Sequence, residues 1–198
     1  APTPAIKNKF ITFGCFNNAN KVTETVIEVW STILESIPRS KIYLRGTSYL
    51  NDTINVIKRS FSKNGIGIDR ILIDGPCSRH ELIESYNQVD IALDPFPYPG
   101  GTTTLEALWM GVPTITKKGT NFVSNVGLSI AVNSGHRHLC AASVEEYIKK
   151  CTLLAKDIEK LNQKRLERRS KILQSPLFDA DIFASDFQNL IRRICDIS

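Results

Sequence analysis

The sequence predicts an α/β domain, built on a doubly wound parallel sheet and extended by C-terminal helices. Two observations predict this class: short runs that are apolar on both faces alternate with longer segments of helical periodicity, and after Glu145 the pattern is helical only. Parallel strands lie under helices on both faces, so they appear as continuous apolar runs rather than alternating ones. A chain of 198 residues is long enough for one sizeable core.

Five segments have the pattern of buried strands. They cover residues 10–15, 41–45, 70–74, 89–94 and 113–116. The centres of three of them, Ile42-Tyr43-Leu44, Ile71-Leu72-Ile73 and Ile91-Ala92-Leu93, carry no polar side chain that would mark a solvated face. Because strand and helix alternate five times, the strands are predicted to be parallel and joined by crossover helices.

The helices between the strands have recognisable start signals. Val26, Trp30, Ile33 and Ile37 recur at helical spacing after Thr23. A hydroxyl residue with a glutamate three positions later, the capping-box spacing, occurs at Ser78 with Glu81, Thr103 with Glu106 and Ser143 with Glu146.

The C-terminal part is predicted to contain a basic helix over residues 157–173, a break at Ser175-Pro176 and a last helix from about Asp181 to Cys195. Residues 1–178 are therefore assigned to a Rossmann-like domain, and residues 179–198 to a C-terminal helix that packs back on the domain or extends beyond it. The lysines and arginines between residues 156 and 171 are expected to form a solvated helix face.

Composition excludes several classes of protein. No apolar run approaches the ~20 residues that span a bilayer, and the first residues lack the features of a signal peptide. The five cysteines are scattered, which favours a reducing compartment such as the cytoplasm over a disulfide framework or zinc site. The net charge of +5 suits an anionic ligand, but no nucleic-acid reader motif accompanies it, so nucleic acid is not an expected partner.

The most informative segment runs from Asp94 to Pro113. A rigid proline-aromatic turn follows the acid, and then two glycines and the threonines Thr102, Thr103 and Thr104 open an apolar helix. Backbone N–H groups, hydroxyls and the positive end of a helix dipole then converge on one point, which predicts an anion site, most plausibly for phosphate. Glu106, one turn further on, is within reach of a sugar hydroxyl attached to that phosphate.

Two other loops are predicted at the same sheet edge, where ligands of open parallel sheets gather. The loop at residues 16–21 ends in Lys21, whose charge would reinforce the roughly half charge of a helix N-terminus at a diphosphate. The loop at residues 74–79 ends in Arg79, whose guanidinium plane suits a nucleobase.

Each of these residues also has a purely structural interpretation. Thr103 and Glu106 would form a capping box without any ligand, Lys21 would be a solvated lysine, and Arg79 would decorate the first turn of its helix. Their convergence on one edge favours the functional interpretation. His136 and His138 flank Arg137 but lack further ligands for a metal, and the motifs GxSxG, Walker lysine and GxGxxG are absent.

Longer motifs resemble the O-GlcNAc transferase family, which includes SPINDLY-type plant proteins and bacterial proteins with tetratricopeptide repeats. The resemblance is carried by Phe13-Gly14-Cys15-Phe16-Asn17-Asn18 with Lys21, by residues 93–98 leading into Gly101-Thr102-Thr103-Thr104, by residues 108–113, by Asn125-Val126-Gly127 and by residues 175–178. It extends over nearly the whole chain.

The resemblance implies the C-terminal, nucleotide-sugar-binding half of a GT-B glycosyltransferase, in which two Rossmann-like domains enclose the active site. By analogy, Lys21 is the catalytic cation and binds the diphosphate together with the backbone of Thr102, Thr103 and Thr104. Glu106 stands at the position of an acid on the ribose, Arg79 at that of a basic residue beside the base, and Asn18 at that of a polar diphosphate neighbour.

The implied reaction is inverting transfer of a sugar from a donor such as UDP-GlcNAc to a protein Ser or Thr hydroxyl, with no metal or other cofactor. The acceptor site and any general base are expected from an N-terminal domain and repeats outside this chain, so the chain alone is expected to turn over little. Gly101 and Leu82 stand where animal members have histidines. The Pro-Tyr-Pro-Gly-Gly turn is closer to the SPINDLY-like and bacterial branch, whose donor can be a different sugar nucleotide.

Two other functions stay open from the sequence. A GT-B-fold sugar-nucleotide epimerase would share the donor site but needs its own catalytic carboxylates and histidine. A non-catalytic nucleotide-binding or interaction module would need no catalytic groups.

Overall fold

The computed structural model describes residues 1–195 and contains a six-stranded, fully parallel sheet. The strands, in chain order, are β1 (Thr12–Cys15), β2 (Lys41–Arg45), β3 (Ile71–Asp74), β4 (Ile91–Leu93), β5 (Thr114–Lys117) and β6 (Cys140–Ala141). Their order across the sheet is β3-β2-β1-β4-β5-β6. The predicted doubly wound α/β class is therefore confirmed.

Nine helices connect or flank the strands within residues 1–195. They are α1 (Ala5–Asn8), α2 (Glu24–Ser36), α3 (Asn51–Lys63), α4 (Arg79–Ser85), α5 (Thr102–Trp109), α6 (Val126–Asn133), α7 (Val144–Ala155), α8 (Ile158–Leu173) and α9 (Ala180–Cys195). Within this part of the chain, no helix combines the length and apolar composition that crossing a membrane requires.

Five of the strands were predicted, and the sixth was missed. β6 is only two residues long and pairs with β5 at the edge of the sheet, at Thr116↔Cys140 and Lys117↔Ala141. Two residues are too few to produce a recognisable periodicity. β6 therefore could not be distinguished from a loop.

Capping explains where several helices begin. The Thr23 hydroxyl accepts from the N–H of Val26 at the start of α2, and Ser78 with Glu81 forms a full capping box on α4. The capping-box interpretation of Thr103 with Glu106 is wrong, because α5 begins at Thr102 after Gly101 and has no side-chain cap. That start leaves both Thr103 and Glu106 inside the helix and free for other contacts.

The basic helix α8 is not uniformly solvated, which corrects the prediction of a solvated face. Arg165 and Arg168 are each only 3% exposed. Arg165 donates hydrogen bonds to the carbonyls of Val89 and Tyr86, and Arg168 donates to that of Gly111. Buried arginines of this kind satisfy main-chain acceptors that would otherwise lack donors.

The last helix, α9, follows a short turn at Pro176–Phe178, and all sixteen of its residues are exposed. Assigning residues 179–198 to a separate C-terminal helix stays a prediction, and residues 196–198 lie outside the described part of the chain.

The order of the strands fixes where a ligand would bind. From β1 the chain builds outward through β2 and β3, and it then returns to the other side of β1 to place β4, β5 and β6. The order therefore reverses between β1 and β4. In open α/β sheets, ligands bind beyond the carboxyl ends of the strands at this reversal.

Candidate functional site

The loops after β1 and β4 meet at the reversal point through one amide oxygen. Asn17 is the second residue after β1 and is 5% exposed. Its Oδ1 accepts from the Lys21 Nζ at 3.3 Å and from the Thr103 Oγ1 at 3.1 Å. The lysine of the first loop and the threonine-rich opening of α5 therefore lie side by side, as the sequence predicted.

Lys21 is held by main-chain and aromatic contacts rather than by an acid. Its Nζ donates to the carbonyl of Pro99 at 3.0 Å and lies 3.9 Å from the centre of the Tyr98 ring. No carboxylate in residues 1–195 lies within ion-pair distance of this ammonium. Partial burial lowers the pKa of Lys21, and the charge of Asp94 opposes that effect. A cation with no contacting counter-charge is suited to bind an anion.

The opening of α5 supplies unpaired donors beside Lys21. None of the described residues accepts a hydrogen bond from the backbone N–H of Thr102 or Thr103. These N–H groups belong to the first turn, where the helix dipole places a partial positive charge. Thr102 is exposed, whereas Thr103 is half-buried and its carbonyl accepts from the Tyr86 hydroxyl at 2.9 Å.

The third threonine faces inward. The Thr104 Oγ1 donates to the Asp94 Oδ1 at 2.9 Å, and the backbone N–H of Gly100 donates to the same oxygen at 3.1 Å. Asp94 is 2% exposed, and burial raises its pKa to about 6. The hydroxyl of Thr104 therefore binds Asp94, and its backbone N–H donates to the carbonyl of Gly101 at 3.1 Å, so the predicted contact of the Thr104 backbone with the diphosphate would have to displace that bond.

Glu106 and Arg79 form an ion pair at the outer side of the same edge. The Arg79 Nη2 lies 3.0 Å from the Glu106 Oε1, with the arginine side chain 73% exposed and the glutamate side chain 8% exposed. Burial raises the pKa of Glu106, while the charge of Arg79 opposes that rise. The two residues were predicted to contact different parts of a nucleoside, and their direct pairing was not foreseen.

Asn18 lies outside the cluster formed by Asn17, Lys21 and Thr103. It is exposed, and its side chain accepts from the N–H of Asn20 to cap the short turn Ala19–Lys21. The neighbouring Asn17 occupies the centre of the cluster instead. The signal that would have favoured Asn17 is its place two residues after a buried strand and next to the buried Phe16, closer to the interior than Asn18.

Within the described residues, His136 and His138 make no hydrogen bond to Asn17, Lys21 or Thr103. Burial lowers the pKa of His136 to about 4, and its Nδ1 lies 3.2 Å from the Ser134 Oγ. Residues 1–195 contain no group of three or more His, Cys, Asp or Glu side chains placed to hold a metal ion.

Comparison with known proteins gives matches over nearly the whole chain. The model of the family described as "Glycosyl transferase family 41" matches residues 4–187. A rice protein named "Probable UDP-N-acetylglucosamine--peptide N-acetylglucosaminyltransferase SPINDLY" is 38% identical over 98% of this chain, and 35% identity over 98% is found with the Arabidopsis thaliana protein of the same name. Each alignment covers only 22% of the relative, so the chain spans about a fifth of their length.

Among solved structures, an O-GlcNAc transferase mutant from Thermobaculum terrenum superposes with a TM-score of 0.85 at 32% identity. The match covers 93% of this chain and 36% of that one.

Proposed function

This chain belongs to glycosyl transferase family 41, and from that premise we propose that it is the donor-binding C-terminal domain of an inverting glycosyltransferase. The donor in this proposal is UDP-GlcNAc or a related nucleotide sugar, and the acceptor is a protein Ser or Thr hydroxyl. One observation carries the proposal. Lys21 and Thr103 share the Oδ1 of Asn17, which brings a cation and a helix N-terminus to one place.

In this proposal, Lys21 and the first turn of α5 grip the diphosphate of the donor. The backbone N–H groups of Thr102 and Thr103 and the ammonium of Lys21 are the donors. As the bond between sugar and diphosphate breaks, negative charge builds on the departing diphosphate. Fixed donors aimed at that charge stabilise the transition state more than the ground state, which accelerates transfer.

The nucleoside would lie over the Arg79–Glu106 pair. Glu106 is proposed to accept from a ribose hydroxyl, with Arg79 presenting its guanidinium to the base. Because the two side chains contact each other at 3.0 Å without a ligand, a nucleoside would have to share or displace that contact. Asn18 is proposed as a polar neighbour of the diphosphate, and it would need to give up its bond to Asn20 to reach it.

The acceptor site and the general base are proposed to lie in parts of the protein beyond this chain. The relatives are named as probable peptide N-acetylglucosaminyltransferases, and the chain covers 22% of their length. An N-terminal GT-B domain and tetratricopeptide repeats are the proposed remainder, and the cytoplasm is the proposed compartment. The transferase family favours sugar transfer over epimerisation or a purely non-catalytic module.

Calorimetry on the chain tests the proposal. We expect UDP or GDP, and their sugars, to bind the wild type, and Lys21→Ala to weaken binding by about 10- to 100-fold, because a charge-assisted hydrogen bond contributes about 1.5–3 kcal/mol. Lys41→Ala is the matched control, since Lys41 also lies near an aromatic ring, 5.2 Å from the centre of Phe10, but at the opposite edge of the sheet. Equal losses in both variants, or no nucleotide binding by the wild type, would contradict the proposal.

A further inference from the structure

The buried carboxylate of Asp94 lies directly beneath the opening of α5. It follows the last residue of β4, and the carbonyl of Asp94 accepts from the Tyr147 hydroxyl at 2.9 Å. Its Oδ1 accepts from Gly100 N–H and Thr104 Oγ1, which bracket the start of the helix. Its Oδ2 is buried and makes no hydrogen bond of good geometry in residues 1–195, although the Thr116 hydroxyl interacts with the carboxylate and lowers the pKa of Asp94.

We propose that Asp94 is a positioning residue for the diphosphate: by fixing Gly100 and Thr104 on one oxygen, it aims the first N–H groups of α5 at the space beside Lys21. This inference rests on the proposed function and names a residue that acts through others, without contacting the ligand itself.

Two hydrogen bonds connect Asp94 to the donors of the proposed anion site. The first joins Thr104 to Asp94, and the second joins Thr103 to Asn17. Thr104 is adjacent to Thr103, whose hydroxyl binds the Asn17 Oδ1 that also accepts from Lys21. Releasing Oδ1 would free both ends of the Gly100–Thr104 segment at once. The N–H groups of residues 102 and 103 would then lose their common direction, because the α5 N-terminus has no side-chain cap of its own.

Two glycines pack closely against the Asp94 carboxylate. A Cβ on Gly100 would lie 2.9 Å from Asp94 Oδ1, and a Cβ on Gly127 would lie 2.9 Å from Asp94 Oδ2. Two backbones therefore approach the carboxylate on opposite oxygens. A side chain held between two backbones has little freedom to move, which suits a residue that positions other groups.

The experiment compares Asp94→Ala, Asp94→Asn and Asp90→Ala in the chain. Asp90 is the matched control, because it is also buried, lies at the other end of β4, and accepts from the N–H groups of Ala5 and Thr12. Two readouts are taken at a temperature where circular dichroism shows each variant folded. The first is the calorimetric affinity for inorganic pyrophosphate and UDP, and the second is hydrogen exchange at the hydrogen-bonded amides of Gly100 and Thr104.

We expect Asp94→Ala to weaken the binding of both ligands by at least about 10-fold and to remove the exchange protection of the Gly100 and Thr104 amides, because two interactions with the Asp94 carboxylate are lost. Asp94→Asn keeps Oδ1 as an acceptor and should stay within about 3-fold of the wild type. Asp90→Ala should bind both ligands as the wild type does. If Asp94→Ala does not fold, Thr104→Val removes one of the two bonds and should weaken binding about 3- to 10-fold.

If the wild type binds both ligands and Asp94→Ala has the same affinity and the same amide exchange, this inference is overturned and the proposed function stands. An equal loss in Asp90→Ala would overturn it too, because the effect would then be general destabilisation. Absence of binding by the wild type would overturn the proposed function and, with it, the assignment of Asp94 to a diphosphate.

Discussion

An aspartate flanks β4 at each end, and both aspartates are buried. They differ in the groups to which they are hydrogen-bonded. Asp90 precedes the strand and Asp94 follows it; they are 0% and 2% exposed, and burial raises the pKa of each to about 6. Asp90 uses both oxygens, one on the N–H of Ala5 and one on that of Thr12. Asp94 uses one oxygen, on the loop that opens α5.

The difference follows from which edge of the sheet each residue occupies. At the amino ends of the strands, Asp90 joins the first helix and the start of β1 to the core, and Arg165 secures the carbonyls beside it. At the carboxyl ends, Asp94 supports the opening of α5, whose first N–H groups have no acceptor among the described residues, beside the Lys21 ammonium, which has no contacting carboxylate there. One edge is closed by its own hydrogen bonds, and the other leaves donors for a ligand.

The largest expected effect falls on the closed edge. Arg165→Met should lower the free energy of unfolding by about 4 kcal/mol. The carbonyl of Val89 loses its donor at roughly 1–3 kcal/mol, the carbonyl of Tyr86 keeps only the N–H of Val89, and Asp90 loses a nearby positive charge. Urea denaturation measures it. Arg169→Met on the same helix is the control, because Arg169 is exposed and should cost no more than about 1 kcal/mol. UDP affinity of the folded Arg165→Met variant should be unchanged; a specific loss of affinity would break the division between the two edges.

The next effect is a dependence of stability on pH that both aspartates share. Each has a folded pKa of about 6, above the ordinary value of 3.8, so between about pH 4 and 6 the folded chain keeps a proton that the unfolded chain has lost. The stability that each aspartate contributes is therefore present below about pH 4 and is lost as pH rises through 6. The loss is about 3 kcal/mol for each of the two aspartates. The free energy of unfolding of Asp94→Asn, relative to wild type, should rise by that amount from pH 4 to 7.

For Asp90→Asn, the free energy of unfolding relative to wild type should rise with pH by the same amount, but it should be lower than that of Asp94→Asn at every pH. Its amide would turn an NH₂ group toward the N–H of Ala5 or Thr12, which costs about 1–3 kcal/mol at every pH. At Asp94 the amide nitrogen can take the place of the unpaired Oδ2 without losing an acceptor. His136, whose pKa is lowered to about 4, gives an opposite slope in all three proteins and cancels in the differences. Denaturation curves at several pH values that gave flat differences would contradict the burial argument.

The sequence predicted the open edge better than the closed one, and the reason is physical. Turn residues, glycines and a threonine-rich helix start are local signals, so the loop after β4 and Lys21 were identified before the fold was known. The buried arginines of α8 were missed because Arg165 and Arg168 sit among lysines, and nothing local distinguishes an arginine that binds core carbonyls from a solvated one.

The partners of individual residues were also beyond the sequence. The pairing of Arg79 with Glu106 joins two helices, and the bonds of Asn17 join the loops after β1 and β4. Such contacts depend on the order of strands in the sheet. The sequence therefore placed these residues at one edge, whereas the resemblance pointed to Asn18 in the same polar loop, and that assignment stays a prediction.

The smallest expected effect compares two adjacent glycines at the open edge. A Cβ on Gly100 would lie 2.5 Å from the hydroxyl oxygens of both Thr103 and Thr104, whereas a Cβ on Gly101 would meet nothing closer than 3.9 Å, at Val126. Because both hydroxyls are fixed by hydrogen bonds, Gly100→Ala should push the helix opening away from Asp94 and Asn17. We expect a loss of about 2 kcal/mol in stability, typical of overpacking, and about 10-fold in UDP affinity.

Gly101→Ala should change UDP affinity by less than about 3-fold, since it makes only an ordinary contact. Calorimetry of the two variants decides the matter: if Gly100→Ala bound UDP as well as Gly101→Ala does, the exact position of the helix opening would not govern the anion site, and the open edge would owe its affinity to Lys21 alone.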